Sequence, residues 1–174
     1  VKWGKMRSTV LPEDIDEASI FALLGQYHIK GKKDWLPFEQ AGFLHRRHIR
    51  QNIDIAVLAV ELGLKVADSK NLISTYDFMV SNGIKDPAKW SFFYELIKSR
   101  KIKKFRGVFK EFDDFIVDKI KFGEVGTAME FRNGLKLLGD AKPKVVKKLL
   151  TDEYSFEDAI SAVEISGNAN ELYK

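Results

Sequence analysis

Apolar residues recur along this chain at intervals of three and four with polar residues between them, the spacing that turns one face of an α-helix toward a core. Ile20, Phe21, Leu23 and Leu24 form the first such face, with Asp14 or Asp16 placed to cap it, Glu17 in its first turn and Gly25 expected to end it. A polar loop is expected at Gly31, Lys32, Lys33 and Asp34. Pro37 then stands at a first helical position and opens a helix through Glu39, Ala41, Phe43 and Leu44 to about Ile49. Between Asn52 and Met79 the pattern divides at Gly63: Ile55, Leu58, Ala59 and Leu62 share one face before it, and Leu72, Ile73, Tyr76 and Met79 share one after it. Beyond Asn82 and Gly83, the spacing of Trp90, Phe93, Leu96 and Ile97 predicts a helix that enters the basic run of residues 100–110. Apolar periodicity continues over residues 112–120, 128–138, 145–150 and 156–165. Ser8, Thr9, Val10 and Leu11, ahead of Pro12, read as a strand. The expected fold class is therefore all-α: a multi-helix domain containing a helix-turn-helix, with at most one short N-terminal strand.

Composition narrows the class further. With 174 residues the chain can build one helical domain or two small ones sharing an interface. It has no cysteine, so neither disulfides nor thiolate metal sites hold it, and a reducing, cytoplasmic setting is expected. No run of about eighteen apolar residues occurs, and the N-terminus lacks the apolar stretch of a secretory signal, so no membrane partner is expected. The first residue is Val, not Met, which suggests a fragment or a processed product rather than a whole reading frame.

The net charge of +4 hides an uneven distribution. Residues 30–50 hold six basic and two acidic groups, residues 98–110 hold seven basic and no acidic ones, and the rest of the chain sums to minus seven. Such basic runs suit a polyanionic partner. The segment between them has the parts of a helix-turn-helix: Ala59 as the small residue four before Gly63, Leu58 and Leu62 facing the core, Gly63 for the turn, and Leu72 anchoring the second helix. Its polar positions Lys65, Ser69, Lys70, Asn71 and Ser74 can reach phosphates or base edges, and Asn71 has the amide needed to read adenine. Ser69 stands where most such motifs bury an aliphatic residue, and residues 51–79 are net minus two. The flanking cations Arg46, Arg47 and Arg50 on one side, and Arg100, Lys101, Lys103, Lys104 and Arg106 on the other, supply the phosphate neutralisation that the motif lacks.

The order of segments adds a resemblance. Residues 11–46, LPEDIDEASIFALLGQYHIKGKKDWLPFEQAGFLHR, resemble the end of the N-terminal domain of ParB-type partition proteins, where a strand, an acidic helix start and a leucine-rich helix precede a proline and a Glu-x-Ala pair. Pro37, Glu39 and Ala41 match that last element, and the helix-turn-helix follows with its register unbroken from Ala59 through Gly63 to Leu72. The resemblance covers residues 9–80 or so, and it implies sequence-specific binding of double-stranded DNA, a homodimer on palindromic sites, and nucleoid or plasmid association. It divides the chain into residues 1–34 as a remnant of that N-terminal domain, 35–82 as the DNA-binding region and 83–174 as a helical extension. The family's Gly-x-Arg-Arg nucleotide motif has no counterpart here, and its Glu-Asn pair is replaced by Gly25 and Gln26, so nucleotide binding is expected only in a longer form of the protein and no cofactor of this chain.

Other groupings point elsewhere less strongly. His45 and His48, three apart, have a spacing that can share a metal, but no third ligand stands near and two arginines separate them. Glu111, Asp113, Asp114 and Asp118 can in principle hold a divalent ion for phosphodiester cleavage, although a solvated face near a helix start accounts for them. Trp3, Trp35 and Trp90 suit core anchoring rather than base stacking. With no phosphate loop and no nucleophile elbow, an enzyme is not expected. The rival to DNA binding is a helical interaction module whose basic stretches meet an acidic protein.

Overall fold

The computed structural model describes residues 10–29 and 35–172 of the chain. These form ten α-helices and no strand. Ser8, Thr9, Trp3 and the loop at Gly31–Asp34 lie outside the described residues, and Val10 and Leu11 take no strand conformation.

Helix α1 covers Glu17–Ile29, capped by Asp16, whose carboxylate accepts from Ser19 N and Ser19 Oγ at 2.8 and 2.6 Å. It does not stop at Gly25. That residue is a point of close approach: a Cβ there would lie 2.8 Å from Leu62 Cδ2 and 3.1 Å from Phe43 Cε1. The glycine serves packing between helices here, not termination. Helix α2 (Pro37–Arg50) begins with Pro37 in its first turn and with Glu39 reaching back to Leu36 N at 3.2 Å.

The helix-turn-helix segment then follows the sequence pattern. Asp54 caps α3 (Ile55–Leu62) by accepting from Ala56 N at 2.7 Å. Gly63 closes it at φ 64° and ψ 33°, a left-handed conformation that costs other residues 1–2 kcal/mol or so. Helix α4 (Val66–Ser81) starts three residues later. Leu58, Ala59 and Leu62 are fully or almost fully buried, with Phe43, Leu44 and Ile73 beside them.

Past Gly83, a single 3-10 turn at Pro87–Lys89 leads into α5 (Trp90–Lys98). The helix expected to run on into the basic stretch is broken at Ser99, whose backbone is extended and whose hydroxyl accepts from Ile102 N at 3.3 Å to start α6 (Arg100–Val108). Helices α7 (Phe112–Phe122), α8 (Ala128–Leu138), α9 (Pro143–Leu150) and α10 (Phe156–Leu172) complete the described chain.

Two apolar clusters share α4. One gathers α1, α2 and α3 around Phe43, Leu44, Leu58, Leu62 and Ile73. The other runs from Ala41 and Met79 through Trp90, Phe93 and Ile102 to Phe112, Phe131, Leu149 and Phe156. Leu72 packs against both. The core is thus continuous across residue 83, and α4 is held from the α2 side and the α5 side at once.

Candidate nucleic-acid interface

Helix α4 turns Ser69, Ile73 and Met79 inward, with Tyr76 against α2, where its ring lies 5.1 Å from Phe38 and 5.2 Å from the His45 ring. At about 100° per residue, positions 67, 70, 71, 74, 78 and 81 come out on the other side. That face meets the end of α5 and the start of α6 across an open groove of about 700 Å³. Lys70, Asn71 and Ser74 line one wall, and Lys98, Arg100, Lys103 and Arg106 line the other. Five cations thus border the groove against one carboxylate, Asp77. Two runs of residues about thirty apart in sequence become opposite walls of one basic trough because α5 doubles the chain back on α4.

The walls differ in how firmly they are held. Arg106 is fixed: Nε donates to Asp113 Oδ1 at 2.5 Å, Nη2 to Asp113 Oδ2 at 2.7 Å, and the guanidinium sits 5.1 Å from the centre of the Phe78 ring. Its charge is largely answered by Asp113, so it braces the groove floor. Lys98 rests 5.3 Å over the Tyr94 ring. Burial pushes that phenol's pKa up, with the negative charges of Asp68 and Glu95 adding to it. Arg100, Lys103, Lys70 and Ser74 are exposed, Asn71 is half-buried, and none of these five side chains has a bond to another described residue. They are the groups left to meet a ligand.

No family model, no curated protein and no solved structure matches this chain.

Several residues singled out in the sequence are placed elsewhere. Ser69 is 0% exposed, and its hydroxyl turns back to the Lys65 carbonyl at 3.2 Å. It fills the buried position that an aliphatic residue usually takes and cannot face a groove in DNA. Arg47 is 2% exposed, bonded through Nη1 to Glu61 at 2.6 Å and through Nε to Gln51 at 3.3 Å, so it ties α2 to α3 and lies too deep to reach the phosphates of a duplex. Lys101 points away from the groove to Asp140, beyond α8. Lys65 is exposed at the start of α4 but does not line the groove. Arg46 and Arg50 are exposed on α2; Arg46 borders a hollow shared with Tyr76, which lies about 160° around α4 from Ser74. Lys104 belongs to α6, but its side chain lies outside the described residues. The histidines go to separate partners, His45 to Asp77 at 3.4 Å and His48 to the Ile53 carbonyl at 2.8 Å. The acidic group is divided as well: Asp113 serves Arg106, and Asp118 lies 3.6 Å from Lys121.

Ser99, Asp77 and Phe78 also line the groove, although they were not among the residues expected there. Ser99 carried a usable signal, a serine at the seam of an apolar helix and a basic one. The other two did not, since their role depends on where α6 returns.

Proposed function

We propose that the chain binds double-stranded DNA, with one phosphodiester strand lying along the trough between α4 and α6. The observation that carries this reading is that Lys70, Asn71 and Ser74, on the second helix of the helix-turn-helix, face Arg100 and Lys103 across one open groove. Arg100 and Lys103 neutralise phosphates, while Asn71 and Ser74 offer the hydrogen-bonding groups that can distinguish base edges. Helix α3 carries no basic residue, so the phosphate grip that flanking cations usually give a helix-turn-helix falls to α6. The partition-type role implied by the resemblance rests on this same reading: a palindromic site would then take two copies of the chain.

Fluorescence anisotropy with a pool of random 20-mer duplexes, followed by selection of preferred sites, tests the proposal. With about four free cations engaged, log Kd should change with log salt at a slope of roughly 3 to 4. Lys103→Ala and Arg100→Ala should weaken all duplexes alike, whereas Asn71→Ala should lower the preference for the selected site by about tenfold or more. The rival reading, an acidic protein segment as occupant, draws on the position of α6, which stands beside the exposed face of α4 and narrows its approach to a major groove. Weak binding with no enriched site would favour that rival.

A further inference from the structure

A second hollow lies on the α1 side of α2, away from the groove. It encloses about 260 Å³, room for roughly eight or nine waters, and its walls are Phe21 of α1 with Phe43, Arg46, Arg47, Arg50 and Gln51 along and just beyond the last two turns of α2. We propose that this hollow binds a small organic anion, one joining a carboxylate or phosphate to an apolar or aromatic body.

Both halves of that ligand are written in the lining. The rings of Phe21 and Phe43 stand 6.2 Å apart centre to centre and form the apolar part, with the Trp35 ring 5.1 Å beyond Phe43. Arg46 and Arg50 are exposed at the mouth, four residues apart on one side of the helix, and neither makes an ion pair with a described residue. Arg47 is the deep element. It is 2% exposed, with its guanidinium 5.9 Å from the Phe43 ring centre. Glu61 and Gln51 engage its Nη1 and Nε, and Nη2 has no acceptor among the described residues. A buried guanidinium N–H without an acceptor is costly, and an oxyanion placed against it removes that cost. The one acidic group on the rim is Glu17, and Glu61 answers the charge of Arg47, so the two unpaired arginines, Arg46 and Arg50, face a single carboxylate there. A surface arginine cluster alone would attract any anion. The aromatic wall makes the difference, because it rewards an anion that carries an apolar body over inorganic phosphate.

Isothermal titration of the full chain at low salt, with phenyl phosphate, benzoate, inorganic phosphate and benzyl alcohol as probes, decides the matter. Phenyl phosphate or benzoate should bind at one site at least ~10-fold more tightly than inorganic phosphate, and benzyl alcohol should not bind measurably; whichever of the first two binds tighter names the anionic group. Arg46→Gln and Arg50→Gln, both at exposed positions that leave the fold intact, should each weaken the preferred probe by ~5-fold or more. Phe21→Leu should shrink its advantage over inorganic phosphate. Lys103→Ala, in the other groove, should leave it unchanged. Equal affinity for phenyl phosphate, benzoate and inorganic phosphate, or an equal response to Lys103→Ala and Arg50→Gln, would overturn the proposal, as would titrations showing no saturable heat with any probe.

Discussion

At the scale of single residues, neighbours in sequence divide into opposite roles. Arg46 and Arg47 look interchangeable as cations, yet about 100° of helix rotation leaves one in solvent and buries the other between α2 and α3. Arg47→Ala should cost about 2 kcal/mol, below the usual range for a broken buried pair because Glu61 is one-third exposed and can rehydrate. For a chain of this length the thermal midpoint should drop by about 4–8 °C. Duplex affinity of the folded fraction should stay within about twofold; a selective loss of DNA binding with no drop in the midpoint would return Arg47 to the interface. Ser69→Ala makes the complementary case. It removes a back-bonding hydroxyl from a buried site, so it should leave both stability and DNA binding within about 1 kcal/mol of the starting protein.

At the scale of elements, helix ends are set by local chemistry. Thr127 and Glu130 close a reciprocal box at the start of α8: Thr127 N donates to Glu130 Oε2 at 2.7 Å, and Glu130 N to Thr127 Oγ1 at 3.3 Å. Ser155 and Asp158 build the same arrangement before α10. The backbone bond from Thr127 holds the Glu130 pKa below its ordinary 4.5, and the Ser155 hydroxyl does likewise for Asp158 below 3.8. A depressed carboxylate stabilises the fold above its unfolded pKa, and the gain is lost as pH falls through the lower folded value. Urea midpoints should therefore show no contribution from these caps to any change between pH 7 and pH 5, and a loss below about 4.5 that is smaller in Glu130→Gln than in the parent. A Glu130→Gln variant with an unaltered acid slope would show that the box does not contribute to acid sensitivity. The break at Ser99 belongs to the same scale, because it lets the cations of α6 turn across α4 where a continuous helix would carry them away from it.

At the scale of the whole molecule, α4 is positioned by two clusters, so the helix-turn-helix is not self-sufficient. Ala41 and Met79, inside residues 35–82, belong to the cluster completed by Trp90, Phe93, Phe112 and Phe131. A chain cut to residues 35–82 exposes that apolar side and loses Phe21 as well. It should lack a cooperative urea transition by circular dichroism, while the full chain should unfold in one step. A sharp transition in the fragment would show that residues 35–82 form an independent domain. The same architecture places Arg46, beside Tyr76, on the side of α4 away from Ser74 and the trough, and buries Arg47, so the two basic runs do not line one groove.

Local pattern was enough to determine most helix starts and apolar faces, though not the end of α1 or the split at Ser99, since a periodicity of 3.6 and a capping residue act within one or two turns. Pro37 at the start of α2, the turn at Gly63 and the faces of Leu58, Ala59 and Leu62 all follow from residues within a few positions of them. The apolar faces within residues 128–165 follow in the same way, except that Met129 and Ile165 each remain 70% exposed. Tertiary structure alone decided the rest. Gly25 reads as a helix stop by propensity and is a crossing point because Leu62 and Phe43 come within contact of it. Charge runs show how many cations the chain has, but the partner of each is fixed by the fold: Asp113 for Arg106, Asp140 for Lys101, Glu61 for Arg47. Composition sets the supply of charge along a chain, and only the return of distant helices settles which charges are neutralised and which are left free to bind.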